Sequence, residues 1–149
     1  MNELYNIPQI LKIELPIEGE EKVLIPKLGR KISCGLFGIS DDFIEKYQSL
    51  DTHFIKNKFS TFFFEAAGDS MEPTIFEGQI LIVDRSLKDF HNKVCVISYE
   101  DKLICKRVYT KGNGIILKSD NPRYKDIFVE NTDSVSLWGV VLAVAGFVK

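Results

Sequence analysis

The chain has 149 residues, of which 45% are hydrophobic and 27% are charged, and its formal net charge is −2. This composition is typical of a soluble globular protein, and the length suffices for one domain with a hydrophobic core plus an arm or linker. A slightly acidic chain lacks the positive charge that draws proteins to nucleic acid, so we expect no direct nucleic-acid binding.

Cysteine usage and apolar segments indicate the compartment. Cys34, Cys95 and Cys105 are odd in number, and their spacing fits neither a zinc site nor a redox pair. Free thiols in a reducing compartment are therefore expected. The start of the chain lacks the basic residues of a signal peptide, and the longest uncharged stretch, 134–148, is too short to span a bilayer. We therefore expect a cytoplasmic protein without membrane contact, a metal ion or a cofactor.

Residues 1–39 are predicted to form an extended N-terminal arm. Three prolines, which disfavour helix, lie in this segment: Pro8, Pro16 and Pro26. Its apolar runs are short, and one of them, 13–15 or 23–25, could pair as an edge strand. Whether the arm is docked or only partly ordered stays open, because terminal segments are often loose.

The predicted domain, residues 40–149, opens with a short helix. Ser40-Asp41-Asp42 suits a helix start, since acidic side chains are favourable in the first turn. Apolar side chains then recur at helical spacing: Phe43, Tyr47 and Leu50. The helix is predicted to end near Asp51 and to cover part of the core.

From residue 60 onward the pattern changes to short strands separated by Gly, Asn and Pro. Strands are predicted at 61–67, 79–84, 93–99, 102–109, 115–118, 126–129 and 136–146. Glu100-Asp101 is a predicted hairpin turn, and 119–122 is a predicted loop. Many short strands at even spacing predict a mainly β domain of packed, partly barrel-like sheets.

Two residues in this β region suggest chemistry. Ser70 lies at the centre of the turn Gly68-Asp69-Ser70-Met71-Glu72-Pro73-Thr74, and Lys106 interrupts the apolar strand 102–109. A serine hydroxyl is a poor nucleophile until a base accepts its proton. A free lysine, with a pKa of about 10.4, is almost fully charged at neutral pH, but buried lysines titrate as low as about 5–6. The pair therefore suggests a serine–lysine hydrolytic dyad.

Other interpretations of these residues stay open at this point. Lys106 and Arg107 could both extend to solvent from a strand edge, and Ser70 could cap a helix or bond its own backbone. A histidine triad would need His53 or His91, which are predicted to lie in a polar linker and a surface turn. Two histidines without ligand spacing do not make a metal site either.

Three segments together resemble the LexA-type self-cleaving serine peptidases. The turn 68–74 with 77–84 is similar to their nucleophile segment, and Ile104-Cys105-Lys106-Arg107-Val108 is similar to their lysine strand. Ser119-Asp120-Asn121-Pro122 with Tyr124 is similar to a further family segment. The likeness covers roughly residues 30–147 and implies a compact, mainly β peptidase domain. The segment before residue 34 is too short for the helix-turn-helix of the repressors, so the resemblance is to UmuD-like members.

The resemblance implies catalytic roles for Ser70 as nucleophile and Lys106 as base. UmuD-like proteins cut themselves in the arm, after a small residue and before glycine, and Cys34-Gly35 supplies such a bond. The backbone N–H groups of Asp69 and Ser70 are the expected donors to the oxyanion. Whether cleavage occurs in cis or in trans stays open.

The resemblance also implies a biological role and partners. We expect an accessory subunit of an error-prone translesion DNA polymerase in the SOS response to DNA damage. The expected partners are a second copy in a homodimer, a RecA–single-stranded-DNA filament as trigger, and a UmuC-type polymerase. Two other functions stay open: a binding module that never cleaves, and a processing peptidase that acts on other proteins.

Overall fold

The computed structural model describes residues 22–28, 44–130 and 132–148. They belong to two compact units, a smaller one that ends at Lys56 and a larger one that begins at Asn57. The predicted boundary between arm and domain, at residues 39 and 40, lies outside the described residues, as does most of the predicted arm.

In its described residues, the smaller unit contains a strand pair and one helix. Strands β1 (Ile25–Leu28) and β2 (Ile44–Gln48) are antiparallel, with Ile25 opposite Gln48 and Leu28 opposite Ile44. β1 thus begins at the end of the run 23–25, one of the two runs that the sequence offered as a possible edge strand. Helix α1 (Leu50–Phe54) follows β2. Within the described ranges, no helix is long and apolar enough to cross a membrane.

The helix predicted from Ser40 to Asp51 is wrong for the part that the structure describes, because Ile44–Gln48 form β2. Residues 40–43 lie outside the described residues. Pairing with β1 satisfies the backbone groups of β2 that face it, and Ile44 and Tyr47 are residue types with a preference for strands. The spacing of apolar residues does not distinguish a helix from a strand in so short a segment. The helix begins instead at Leu50, with Asp51 as the acidic residue of its first turn.

The larger unit is built on one antiparallel sheet of seven strands, in the order β3-β4-β9-β5-β6-β7-β8. A single turn of 3-10 helix, Thr132–Ser134, precedes the last strand. The strands are β3 (Thr61–Glu65), β4 (Ile80–Asp84), β5 (Lys93–Tyr99), β6 (Lys102–Lys111), β7 (Gly114–Lys118), β8 (Ile127–Val129) and β9 (Val135–Ala145).

The predicted mainly β fold class is confirmed. The predicted hairpin turn also forms, with Glu100 and Asp101 at φ +47° and +61°, the backbone region that matches strand twist in two-residue turns. β6 runs to Lys111, two residues beyond its predicted end, because it leaves β5 and continues the ladder with β7.

The sheet is packed on both faces, as alternate residues of β5 show. Val94 and Val96 belong to one core cluster, and Cys95 and Ile97 to another. The first, here called the serine-side cluster, consists of Met71, Ile75, Leu81, Val83, Val94, Val96 and Trp138. The second, here called the distal cluster, consists of Cys95, Ile97, Val108, Ile115, Leu117, Val129, Val135 and Val140.

Candidate active site

Ser70 lies in the segment that joins β3 to β4. Hydrogen bonds close the base of this segment: Ala66 N–H donates to the Gln79 carbonyl, and Gly78 N–H donates to the Ala66 carbonyl, each at 2.8 Å. Gly68 bends the chain with φ +76°, a left-handed conformation that glycine adopts without Cβ strain. The sequence after Gly68 therefore leaves the strand direction and presents Ser70 in a turn.

Two buried side chains anchor the turn that follows Ser70. Met71 is 4% exposed and Ile75 is 3% exposed, and both pack in the serine-side cluster. Ile75 N–H also donates to the Met71 carbonyl at 2.9 Å. Burying a side chain of this size stabilises by roughly 1.5–3 kcal/mol. Because Met71 follows Ser70 directly, its burial restricts where the serine backbone can lie.

Lys106 lies in β6, opposite Cys95 of β5. Its Nζ is 3.0 Å from the Oγ of Ser70, within hydrogen-bonding distance. The Lys106 side chain is half-buried, and this desolvation lowers the pKa of its amine below the ordinary value of 10.5. The neutral amine, the form that can accept a proton from the hydroxyl, is therefore more populated than in a free lysine.

The neighbouring cation, Arg107, is paired rather than extended into solvent. Its Nε donates to Oδ1 of Asp120 at 2.8 Å and its Nη2 to Oδ2 at 2.7 Å. Thr74, in the serine turn, donates its hydroxyl to Oδ2 at 2.6 Å. The hydrogen bond from Arg107 is the main cause that lowers the pKa of Asp120. Asp120 therefore ties the strand of the lysine to the turn of the serine.

Asp69, beside the serine, has its own set of partners. Tyr124 donates its phenolic hydroxyl to the Asp69 carboxylate, and Nη2 of Arg123 lies 3.3 Å from the same group. The bond from Tyr124 is the main cause that lowers the pKa of Asp69. The centre of the Tyr124 ring is 5.9 Å from Nζ of Lys106, so the ring covers one side of the amine.

Ser70 and Lys106 line a cleft of about 260 Å³. One wall is the end of β3 with the residues after it, 64–68, and the opposite wall is 103–106 of β6. Met71 and three other members of the serine-side cluster form apolar parts of the lining. The cleft thus combines a hydroxyl and an amine with small and apolar surfaces, which suits a short segment of polypeptide.

The other predicted site residues differ in how far the structure describes them. The N–H groups of Asp69 and Ser70 lie in the serine turn, and the Asp69 N–H also interacts with its own carboxylate, which contributes to the lowered pKa of Asp69. Cys34 and Gly35 lie outside the described residues, between the paired strand ends Leu28 and Ile44. The scissile bond and the oxyanion donors therefore stay predictions.

Sequence comparison assigns the family. A family model described as peptidase S24-like matches residues 26–142, which is most of the chain. The chain belongs to the peptidase S24-like family. The matched range includes the Ser70 turn, the Lys106 strand and the loop with Asp120 and Tyr124, so the match and the site geometry concern the same residues.

The relatives of this S24-like protein include two of similar length and one longer repressor. Protein ImpA of Salmonella typhimurium is 25% identical over 125 residues, covering 83% of this chain and 84% of ImpA. Protein MucA of Escherichia coli is 28% identical over 122 residues, covering 78% and 81%. The LexA repressor of Shewanella denitrificans is 30% identical over 129 residues, covering 85% of this chain but 62% of the repressor. The predicted membership of the LexA-type, self-cleaving peptidases, with UmuD-like character, is confirmed.

Other candidate nucleophiles and bases of this S24-like protein are less suitable. Burial raises the pKa of Cys95 to about 12 and that of Cys105 to about 11, so neither is a thiolate at neutral pH. His91 accepts a hydrogen bond from Thr110 N–H at 3.2 Å, and His53 lies in α1 rather than in a linker. In the part of the chain that the structure describes, no group of three potential ligands could hold a metal ion.

The sequence indicated the polar loop after β7 but no role for its side chains. Asp120 and Tyr124 contact the serine turn. Asn121 is 4% exposed and bonds to the backbone of the same turn. The family resemblance of Ser119-Asp120-Asn121-Pro122 was the available signal. Their partners lie some fifty residues earlier in the chain, and no local pattern reports such contacts.

Proposed function

We propose that this protein cuts its own backbone between Cys34 and Gly35, with Ser70 as nucleophile and Lys106 as general base. The observation that carries the proposal is the 3.0 Å separation of Nζ and Oγ in a half-buried site. A general base must lie within hydrogen-bonding reach of the proton that it removes, and this distance meets that requirement. Burial of the amine supports the second requirement, a neutral base near the working pH.

In the first step, the hydroxyl proton of Ser70 moves to neutral Lys106 while Oγ bonds to the carbonyl carbon of Cys34. The electron pair of the carbonyl moves to its oxygen, and the resulting oxyanion accepts hydrogen bonds from the N–H groups of Asp69 and Ser70. Donors held in place before the reaction stabilise such a charge without reorganisation.

In the second step, the bond between the Cys34 carbonyl carbon and the Gly35 nitrogen breaks. Lys106 returns its proton to the leaving amine, and an ester joins Ser70 to residues 1–34. Water then attacks this ester, with Lys106 accepting a proton from the water and passing it to Oγ. The products are a carboxyl group on Cys34, an amino group on Gly35 and free Ser70.

The cleft supports a peptide substrate. β3 is the terminal strand of the sheet in the described chain, and the segment 64–68 borders the cleft. An extended peptide can add its backbone to such a strand edge by main-chain hydrogen bonds. The small volume favours a small side chain at the cut, which agrees with cysteine followed by glycine.

The smaller unit pairs the two strands that precede and follow the proposed scissile bond in the chain. β1 and β2 are paired, so both ends of the connection 29–43 are held together. After cleavage, β1 and β2 would belong to separate chains, and their hydrogen bonds rather than the backbone would join them.

We also propose a biological role, which rests on the resemblance to UmuD-like proteins. We assign the protein as a UmuD-like accessory subunit of an error-prone translesion polymerase in the SOS response, located in the cytoplasm. Its partners would be a second copy, a RecA–single-stranded-DNA filament that triggers cleavage, and a UmuC-type polymerase. The net charge of −2 is consistent with recruitment to DNA by partners rather than by direct binding.

Intact-mass analysis tests the cleavage. Purified protein is incubated at alkaline pH, or at neutral pH with an activated RecA filament, and sampled over time. We expect two fragments whose masses correspond to cutting after Cys34. Ser70→Ala should give no fragments, whereas Ser134→Ala, which changes an exposed serine outside the site, should cleave like the unaltered protein.

The same experiment contradicts the proposal in defined ways. A cut elsewhere in the arm would refute the assignment of Cys34 and Gly35 but keep the dyad. Fragments from Ser70→Ala would refute the nucleophile. Absence of fragments under both conditions would favour a binding module, and cleavage of an added protein with an intact arm would favour a processing peptidase.

A further inference from the structure

Asn121 holds the backbone of the serine turn from a buried position. Its side chain donates from Nδ2 to the Asp69 carbonyl at 2.9 Å, and its backbone N–H donates to the Ser70 carbonyl at 3.1 Å. Its Oδ1 accepts from the N–H of Arg123 at 3.1 Å. Because the side chain is enclosed and both of its polar atoms are used, its orientation is fixed.

These bonds determine the direction of a peptide group. The Asp69–Ser70 peptide is trans, so the Ser70 N–H points away from the Asp69 carbonyl. That carbonyl faces Asn121 and also accepts from Glu72 N–H at 3.1 Å. The Ser70 N–H is therefore directed away from Asn121, and Ser70 lines the cleft that also contains Lys106.

The residue before Asn121 adds a second link between the same elements. Asp120 pairs with Arg107, next to the lysine, and accepts a hydrogen bond from Thr74, in the serine turn. The loop after β7 thus bonds to the lysine strand through Asp120 and to the serine backbone through Asn121. This arrangement allows the turn to be positioned relative to the strand by side chains that do not line the cleft.

We propose that Asn121 is a positioning residue for the oxyanion site, whose side chain aims the Ser70 N–H into the cleft by holding the Asp69 carbonyl on the opposite side. The inference rests on the proposed self-cleavage. Asn121 contacts neither Nζ of Lys106 nor the attacking oxygen in this arrangement. Its loss should therefore slow the reaction at every pH without changing which protonation state of Lys106 is active.

The expected size of the effect follows from oxyanion donors in general. Removing one such donor lowers the rate by about 10²–10³-fold, and a displacement of about 1 Å in a reacting group can cost about 10²-fold. Without Asn121 the Ser70 N–H remains present but is less well directed. We therefore expect the limiting rate to fall by roughly 10- to 100-fold.

The test measures the first-order rate of self-cleavage of the full chain from about pH 6 to 10, a range that spans buried and free lysine values. Asn121→Ala removes the side chain, and Asn121→Asp keeps its size while replacing the Nδ2 donor with an acceptor. Asn113→Ala, in the exposed turn between β6 and β7, is the matched control. Emission from Trp138, the only tryptophan, reports whether each variant is folded.

We expect both Asn121 variants to have a lower limiting rate with the same midpoint of the pH profile, and Asn113→Ala to behave like the unaltered protein. A limiting rate within about threefold of the unaltered protein, set against the expected loss, would overturn the inference. So would a rate loss explained entirely by a shifted midpoint. Loss of the fold in both variants would show a purely structural role and would overturn it too. Failure of the unaltered protein to cleave would instead count against the proposed function.

Discussion

Replacement of Asp120 best tests how the strand of Lys106 and the turn of Ser70 are held together. Asp120→Ala deletes two charge-assisted hydrogen bonds from Arg107 and one from Thr74. Removing one partner of a buried ion pair costs about 3–5 kcal/mol. The Arg107 side chain is 24% exposed and the Asp120 side chain 11%, so water can partly replace the lost partner. We therefore expect the free energy of unfolding to fall by about 2–4 kcal/mol at neutral pH.

Urea unfolding followed by Trp138 emission measures this loss. Trp138 is 6% exposed and packs edge-on against the rings of Phe62 and Phe64, so unfolding changes its surroundings. All variants carry Ser70→Ala, which keeps the chain intact during the measurement. Asp89→Ala is the matched control, because the Asp89–Lys93 pair has a similar length of 2.8 Å but its side chains are 77% and 42% exposed. An exposed pair contributes about 0–1 kcal/mol.

The pH dependence of the difference provides a second check. The hydrogen bond from Arg107 is the largest cause that lowers the pKa of Asp120 below 3.8. As the pH falls, the Asp120 carboxyl therefore binds a proton in the unfolded state before it does so in the folded state. The stabilisation by Asp120 is complete above the pKa of the unfolded state, and it is lost as the pH falls to the lower pKa of the folded state. Equal losses for Asp120→Ala and Asp89→Ala, or a loss that does not shrink as the pH approaches the folded value, would refute this account.

Three further predictions concern the base, the core and the sheet. Because burial lowers the pKa of Lys106, the cleavage rate should rise with pH to a plateau, with a midpoint below 10.5. Lys106→Arg should be inactive, since a guanidinium stays protonated. Mass analysis across pH measures both effects, and an active arginine variant would contradict the role of Lys106 as base. Met71→Ala should reduce the free energy of unfolding by about 2–5 kcal/mol in urea titrations, and an unchanged transition would show that this side chain does not anchor the serine turn. Gly139→Ala should lower the thermal midpoint, because its Cβ would lie 2.7 Å from Cγ1 of Val83; a midpoint equal to that of the unaltered protein would mean that β9 shifts without cost.

The strands were predictable because their signals are local. β5 runs from Lys93 to Tyr99, as predicted, since alternate side chains enter two clusters on opposite faces and most of them are β-branched or apolar. The segment of β2 was not predictable in this way. Its partner β1 lies about twenty residues earlier, with Ile25 opposite Gln48, and pairing at that distance leaves no periodic signal in a five-residue strand.

In the candidate site, too, some residues could be predicted from the sequence and others could not. Ser70 and Lys106 were identifiable because few side chains can activate a hydroxyl and because their segments resemble a family. For Asn121 and Tyr124, that resemblance is the only signal in the sequence. Their contacts with Asp69 span 52 and 55 residues, so their part in the site depends on how β6, β7 and β8 bring the loop to the serine turn.

Residue types and their order by themselves determined that the chain forms a mainly β domain, and they predicted a serine and a lysine as a hydrolytic pair. Only the tertiary structure decided that Nζ and Oγ are 3.0 Å apart and that the amine is partly removed from water. Distance and desolvation depend on which segments of the folded chain become neighbours, and residues 36 positions apart carry no information about that in their identities alone.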